Sequence, residues 1–241
     1  MNEKEYTEGI EVQSPMLKKL DNFWYHYKWH TLITLFFLIV FTVCTVQMCT
    51  QKTNDMLVMY SGPEALDQSE RDNITKVFEH LVEEEGYAIG INAYNVLSED
   101  EIRALEAETD ADGKPLFVNR AFYTEEYKNY GTYTGTGESS IMLLSPWLYE
   151  SLYKNDRLRN ISELTDGVSE DALVNECGIV IGKTDIYAKY EALQVLPEDT
   201  VICFARPNWG MGKNSKAKHY AKEETLFCAI VEYENTESSG E

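Results

Sequence analysis

The stretch MLVMYSG, from Met56 to Gly62, is an apolar run that stops at Ser-Gly-Pro, and this pattern predicts a buried β-strand. After it, from Ala65 to Glu85, apolar residues recur at helical spacing, with Ile74, Val77 and Phe78 in one stripe. A strand followed at once by an amphipathic helix is the opening unit of an α/β layer fold.

The same alternation continues downstream. Four further apolar runs predict strands: Gly86–Val96, Ser139–Pro146, the stretch ECGIVIG (176–182) and Asp199–Pro207. Five strands that alternate with helices at these spacings predict one α/β domain, with a mostly parallel sheet and helices on both faces.

The intervening helices have recognisable ends. Ser98 and Glu101 have the spacing of a capping box, Asn119 is suited to cap a helix that runs to about Tyr130, and Pro146 is suited to a first helical position. The glycine- and threonine-rich stretch GTYTGTGES is expected to end the Asn119 helix, and DIYAKYEALQVL (185–196) is expected to form one helix.

Upstream of the first strand, no formally charged residue occurs between Lys28 and Lys52. About 20 apolar residues cross a hydrocarbon core of roughly 30 Å, so residues 29–49 are predicted to span the lipid bilayer as one transmembrane helix. A cleaved signal peptide would have a shorter apolar region that ends in an A-x-A-like site. A lipoprotein would have a small residue directly before the modified cysteine, but Met48 precedes Cys49. An uncleaved anchor is therefore expected.

Basic residues predict the orientation of this anchor. Lys18, Lys19 and Lys28 closely precede the span and only Lys52 closely follows it, which places the N-terminus in the cytoplasm by the positive-inside rule. The chain is thus expected to be a single-pass protein of the cell membrane. The predicted segments are a cytoplasmic lead with an interfacial helix (1–28), the span (29–49), a tether (50–55), an extracellular α/β domain (56–233) and a disordered acidic tail (234–241).

The aromatic stretch NFWYHYKWH, which precedes the span, is predicted to lie at the membrane interface. Trp24, Tyr27 and Trp29 suit the headgroup depth, and Lys28 can extend its amine to the lipid phosphates. Two histidines, His26 and His30, are four residues apart but lack a third ligand, so no metal site is predicted.

Composition excludes several function classes. The net charge is −20, and nearly all of it belongs to residues 52–241, so nucleic acid would be repelled. Cys177, Cys203 and Cys228 lie in apolar stretches and are expected to be small core residues, with a single disulfide as the alternative. No cofactor motif occurs.

Motifs with catalytic or ionic chemistry are incomplete. Asp110 and Asp112 fit a calcium loop only in part, and Gly212-Lys213 lacks the preceding glycine of a phosphate-binding loop. The pair Glu223-Glu224 is expected to be solvated, and no sequence motif assigns a catalytic role to His80 or His219. No catalytic residue is predicted, and the chain is not expected to be an enzyme.

Three stretches carry a family resemblance: LDNFWYHYKWHT before the span, IMLLSPWLYESL (141–152) and LPEDTVICFARP (196–207). With them, the chain resembles uncharacterised single-pass membrane proteins of clostridia and related Firmicutes. Their exterior domain looks similar to a reduced version of the solute-binding fold of ABC transporters. This chain is shorter than a two-lobed binding protein and has no lipobox.

The resemblance implies a membrane-anchored extracellular binding module for a small solute or peptide, with a membrane protein as a further partner. Ligand contacts would come from loops after the carboxyl ends of the strands, where open α/β sheets bind their ligands. The alternative is a non-enzymatic structural or assembly protein of the cell envelope that acts through protein–protein contacts. The implied ligand-binding residues are Tyr60, Ser61, Gly62, Tyr94, Asn95, Ser145 and Trp147, with Pro146 between the last two.

Overall fold

The computed structural model describes residues 15–50, 54–109, 113–207 and 216–234, with side chains of the first helix described over 23–47. The chain divides into two compact units, Met1–Lys52 and Thr53–Glu241. Residues 51–53 of the predicted tether and residues 235–241 of the predicted acidic tail lie outside the described residues, as do Asp110, Asp112 and Gly212-Lys213.

The first unit is one helix, α1, from Pro15 to Thr50. Within it, Phe23–Gln47 is long and apolar enough to cross a membrane. The hydroxyl groups of Thr42 and Thr45 donate to the carbonyls of Leu38 and Phe41, both at 2.8 Å, so these polar groups are satisfied inside the helix. The aromatic stretch NFWYHYKWH and the apolar stretch that follows it belong to the same continuous helix.

The second unit is built on a six-stranded sheet in the order β2-β1-β3-β6-β5-β4. Five of its strands fall in the five predicted apolar runs, and the sixth is a two-residue strand that pairs with β5. The strands are β1 (Met56–Gly62), β2 (Ile89–Asn95), β3 (Ile141–Leu144), β4 (Leu173–Val174), β5 (Gly178–Val180) and β6 (Val201–Phe204).

The prediction of a mostly parallel sheet is wrong, because the sheet is mixed. β1 is parallel to β2 and to β3, whereas the pairs β3–β6, β6–β5 and β5–β4 are antiparallel. The predicted helix over 185–196 breaks at Tyr190, leaving a five-residue helix and a short 3-10 turn. This connection does not return the chain to the edge where β5 began, so β6 runs back antiparallel to β5.

The remaining helices surround the sheet. Asn119 caps a helix as predicted, but that helix continues past Tyr130 through the glycines to Thr136. The helices are α2 (Gln68–Leu81), α3 (Glu99–Ala107), α4 (Arg120–Thr136), α5 (Pro146–Lys154), α6 (Asp185–Lys189) and α7 (Ala217–Val231), with 3-10 turns at Glu83–Glu85, Ile161–Glu163, Glu170–Ala172, Ile181–Lys183 and Glu191–Leu193.

Two hydrophobic clusters cover the two faces, because successive strand side chains point to opposite sides. On one face Val58 and Ile202 pack with residues of α2 and α7, such as Phe78 and Phe227. On the other face, residues of α4 and α5 pack on the alternate strand positions. The second cluster contains Met59, Met142, Leu144, Val201, Cys203, Tyr130, Tyr133, Leu148 and Tyr149.

Local sequence signals account for the helix starts. Ser98 and Glu101 form the predicted capping box of α3, and Asp67 and Glu70 form another at α2. Pro146 occupies the first turn of α5, as predicted. These caps fix where each helix leaves the sheet, and α5 therefore begins directly at the end of β3.

Candidate functional site

The strand ends implied as binding loops converge on one edge of the sheet. The register of the parallel pairs places Gly62 opposite Asn95 and Ser61 opposite Leu144. The backbone N–H of Ser145 donates to the Ser61 carbonyl at 2.9 Å, and that of Val96 donates to the Gly62 carbonyl at 2.9 Å. Three chain segments that are far apart in sequence therefore meet here, and we call this place the strand-end site.

Two residues shape the backbone of the strand-end site. A Cβ on Gly62 would lie 2.6 Å from the Tyr60 hydroxyl oxygen, so only glycine fits there without a shift. Ser145 precedes α5, and its carbonyl accepts the N–H groups of Leu148 and Tyr149, both at 3.1 Å. Its hydroxyl does not cap the helix.

The strand-end site contains three buried polar atoms that have no hydrogen-bond partner among the described residues: Ser61 Oγ, Ser145 Oγ and Trp147 Nε1. Ser61 is 0% exposed and Ser145 is 4% exposed. A buried polar atom left without any partner costs about 1–3 kcal/mol, so each of these groups requires a partner that the described residues do not supply. A bound ligand could supply these partners.

Other implied site residues already have partners. The Tyr60 hydroxyl oxygen accepts from the Glu64 N–H at 3.2 Å. Asn95 donates its side-chain amide to the Pro63 carbonyl at 2.6 Å, and its backbone N–H bonds to Glu126 at 3.1 Å. Tyr60 and Asn95 thus hold the loops in place and are less available to a ligand than the two serines.

Helix α4 adds aromatic rings that the sequence analysis did not include in the site. Tyr127 stacks on Trp147 with ring centroids 6.1 Å apart, and Tyr133 lies 5.8 Å from Tyr94. Tyr127, Tyr130 and Tyr133 recur every three residues along one side of the helix, and this spacing was the available signal. Two aromatic pairs therefore flank the strand-end site.

Ionisable groups give this edge a negative field. Burial is the first cause that raises the pKa of Tyr60, and the charges of Glu64 and Asp199 raise it further. The pKa of Tyr94 is raised by burial and then by the charge of Glu126. Such surroundings favour a neutral or cationic ligand over an anion.

The predicted interface residues lie in the first unit. Trp24, Tyr27 and Trp29 expose at least half of their surface, and Tyr27 stacks on Phe23 with centroids 5.2 Å apart. Lys28 is also exposed.

Cavities occur at other places on the second unit. One of about 510 Å³ is lined by Arg159, Arg206 and Tyr220 together with Glu163 and Pro207. Another, of about 360 Å³, lies around Ile161, Leu173 and their polar neighbours. Neither cavity could be predicted from the sequence, because the lining residues come from segments that only the tertiary fold brings together.

The prediction that Glu223 is solvated is wrong. Glu223, expected to be solvated, is completely buried, and its carboxylate accepts from the Ser140 N–H at 3.2 Å. His219 Nε2 lies 3.6 Å from the Glu223 carboxylate one helical turn away. His80 instead lies 3.5 Å from Glu83 at the surface.

The second unit contains three cysteines. Cys203 is buried as expected, whereas Cys177 and Cys228 are half-buried, and all three thiols are free. Within the described part of the chain, no three His, Cys, Asp or Glu side chains are grouped as a metal ion requires.

Comparison with protein-family models, with curated proteins and with solved structures gives no match for this chain.

Proposed function

We propose that the protein is a membrane-anchored binding module, without enzymatic activity, that binds a polar solute or peptide at the strand-end site. The observation that supports this function is the group of three buried atoms, Ser61 Oγ, Ser145 Oγ and Trp147 Nε1, which lack hydrogen-bond partners among the described residues. In this proposal the chain is related to the clostridial membrane proteins that it resembles, and its second unit is related to solute-binding domains.

The chemistry of the strand-end site limits the ligand. The two hydroxyls can donate and accept hydrogen bonds, and the indole N–H can donate. The negative field from Glu64 and Glu126 disfavours a ligand with a net negative charge. The ligand that fits is therefore a neutral or cationic molecule with hydroxyl, amide or amine groups.

Entry of this ligand requires the aromatic cover to open. Tyr127 is about half exposed and stacks on the half-buried Trp147, whose indole nitrogen is buried. We place the entrance at this stack, and displacement of Tyr127 would expose the indole N–H and the Ser145 hydroxyl. Helix α4 would thus act as the movable wall of the binding site.

The proposed function also requires the second unit to lie outside the cell. The positive-inside rule places the N-terminus in the cytoplasm and the second unit outside the cell. A reporter enzyme that is active only outside the cell, fused after Glu241, is expected to be active. An inactive reporter in a chain that is present at normal amounts would reverse the orientation and remove the extracellular function.

A ligand screen tests the strand-end site. The full-length chain in neutral detergent is heated with neutral sugars, amino acids, polyamines and short peptides, and binding raises the melting temperature by mass action. We expect Ser61→Ala and Ser145→Ala each to weaken binding by about 3- to 10-fold, since each removes one hydrogen bond of about 1 kcal/mol.

The matched control is Ser140→Ala. Ser140 is also buried, and its hydroxyl also lacks a hydrogen-bond partner among the described residues, but it precedes β3 and thus lies at the opposite edge of the sheet. This variant should leave the ligand response unchanged. If no ligand class raises the melting temperature, or if Ser140→Ala weakens binding as much as Ser145→Ala, the strand-end proposal is wrong.

One observation favours a second candidate function, assembly through protein–protein contacts. Phe117 is 93% exposed, and Leu116 and Phe122 beside it are also exposed. An exposed apolar group of this kind is common at protein–protein contacts. Under this alternative, Phe117→Ser would shift the chain from a complex to a smaller species in chemical cross-linking, whereas Ser61→Ala would not.

A further inference from the structure

The cavity lined by Arg159 and Arg206 lies at the opposite edge of the sheet from the strand-end site. The segment before Asn160 extends the pairing of β6: Arg159 N–H donates to the Phe204 carbonyl, and Arg206 N–H donates to the Arg157 carbonyl, both at 2.8 Å. Because β6 is antiparallel to β3, its carboxyl end lies where β3 begins. The two arginines therefore project from neighbouring segments into one cavity of about 510 Å³.

Arg159 is held rigidly. Its guanidinium donates to the Glu163 carboxylate at 3.3 Å, to the Glu163 carbonyl at 3.2 Å and to the Glu224 carboxylate at 3.3 Å. It also lies 5.9 Å from the centre of the Tyr220 ring. The side chain is 18% exposed, so Arg159 forms a fixed wall of the cavity and its charge is already balanced.

The Arg206 side chain has one contact with the backbone and one exposed ion pair. Its Nε donates to the Leu158 carbonyl at 2.9 Å, which fixes the direction of the side chain. Its Nη2 pairs with Asp156 at 3.3 Å, but the Asp156 side chain is 87% exposed. Exposed ion pairs contribute about 0–1 kcal/mol, so a ligand carboxylate can replace Asp156 on the Arg206 guanidinium.

The cavity contains charges of both signs. Arg206 supplies a positive group, and Glu163, which is about half exposed, supplies a carboxylate on the same lining. A plain anion would be repelled by Glu163, by Glu224 and by the rest of a chain whose net charge is −20. A molecule with one carboxylate and one ammonium group has no net charge and matches both sides of the cavity.

We propose that this cavity binds a free α-amino acid in its zwitterionic form. Arg206 holds the carboxylate in place of Asp156, and Glu163 accepts hydrogen bonds from the ammonium group. Arg159 keeps Glu163 in position, and the Tyr220 ring provides an apolar surface for the amino-acid side chain. The cavity is a second ligand site, independent of the strand-end site.

Calorimetric titration of the full-length chain in neutral detergent tests the proposal. The probes are leucine, glutamine and phenylalanine, each compared with its N-acetyl derivative, which lacks the ammonium group, and with its amide, which lacks the carboxylate. At least one free amino acid should bind, and both of its derivatives should bind about tenfold more weakly or worse, since each loses a charge-assisted contact.

Three variants locate this binding. Arg206→Gln should weaken it by about ten- to a hundredfold, because it removes the group that holds the carboxylate. Asp156→Asn should strengthen binding several-fold, because it removes the competing charge. Asn also tolerates the left-handed backbone conformation that Asp156 adopts, so the loop is preserved. Arg103→Gln removes an exposed arginine of α3 and is the control for charge alone.

Several results would contradict binding of an amino acid in this cavity. The proposal is overturned if none of the three amino acids binds, if the N-acetyl derivative or the amide binds as well as the parent, or if Arg206→Gln behaves like Arg103→Gln. Ser61→Ala and Ser145→Ala should leave this titration unchanged, so failure here is distinct from failure of the strand-end site.

Discussion

Burial determines the chemistry of single residues in this protein. Cys203 is fully buried in β6, and burial raises the pKa of its thiol, with a smaller contribution from Cys177. Burial also raises the pKa values of Cys177 and Cys228, which are half-buried. The thiolate is the reactive form, so both exposure and ionisation make Cys203 the least reactive of the three.

Alkylation of the native chain measures this difference. With iodoacetamide at pH 8, we expect Cys203 to remain unmodified while Cys177 and Cys228 react slowly, and all three to react at similar rates in urea. Mass spectrometry of the separate peptides gives each rate. Equal rates for Cys203 and Cys228 in the native chain would contradict the buried position of β6.

At the residue scale, the sequence predicted positions better than environments. The strand–helix junction at Ser145 was predicted correctly, because Pro146 suits a first helical position. Glu223 was misassigned as solvated, because its partner Ser140 lies in a distant segment that no local pattern identifies. Arg206 was missed for the same reason.

At the scale of the elements, packing overrode local propensity in α4. Gly131 and Gly135 were expected to end this helix, since each glycine in a helix costs about 1 kcal/mol relative to alanine. The helix nevertheless continues to Thr136, because Tyr130 and Tyr133 pack against the sheet while both glycines lie on the exposed side of the helix. The chain leaves the helix only at Gly137, whose φ is +70°.

Two glycine variants test this account of α4. Gly135→Ala should stabilise the protein by about 0.5–1 kcal/mol, since nothing lies within 4 Å of the added methyl group. Gly137→Ala should destabilise it by about 1–2 kcal/mol, because a left-handed backbone is unfavourable for alanine. Urea unfolding of both variants measures the two free energies, and the same sign for both would contradict the helix end.

For the whole molecule, the sequence predicted where the strands lie but not all of their directions. An apolar run such as VICF reads the same whether the strand runs up or down the sheet. Direction depends on the connections, and the segment 185–196 was read as one long helix. This segment is broken at Tyr190, and β6 after it runs antiparallel to β5, so the parallel half was predicted correctly and the antiparallel half was not.

Buried phenols and thiols make the whole domain sensitive to alkali. Burial raises the pKa values of Tyr60, Tyr130, Tyr133, Tyr149 and Cys203. A group whose pKa is raised by folding loses its proton first in the unfolded chain, so its contribution to stability is complete below the unfolded pKa and falls as the pH rises through it.

We expect the free energy of unfolding to fall by about 2 kcal/mol or more between pH 8.5 and pH 10.5, since the unfolded phenols ionise near pH 10. Urea titration at the two pH values measures the change. Tyr130→Phe removes one of these groups and should make the fall smaller. An unchanged unfolding midpoint at pH 10.5 would show that the phenols are solvated.

The strand order also determines when the fold can be completed during synthesis. β6 is the last of the described strands along the chain, yet it lies between β3 and β5. Until residues 201–204 have emerged, β1, β2 and β3 form one fragment and the β4–β5 hairpin another, and the inner edge of β3 is open to other chains. We therefore expect a newly made chain to remain vulnerable to proteases and to aggregation at least until β6 has been synthesised.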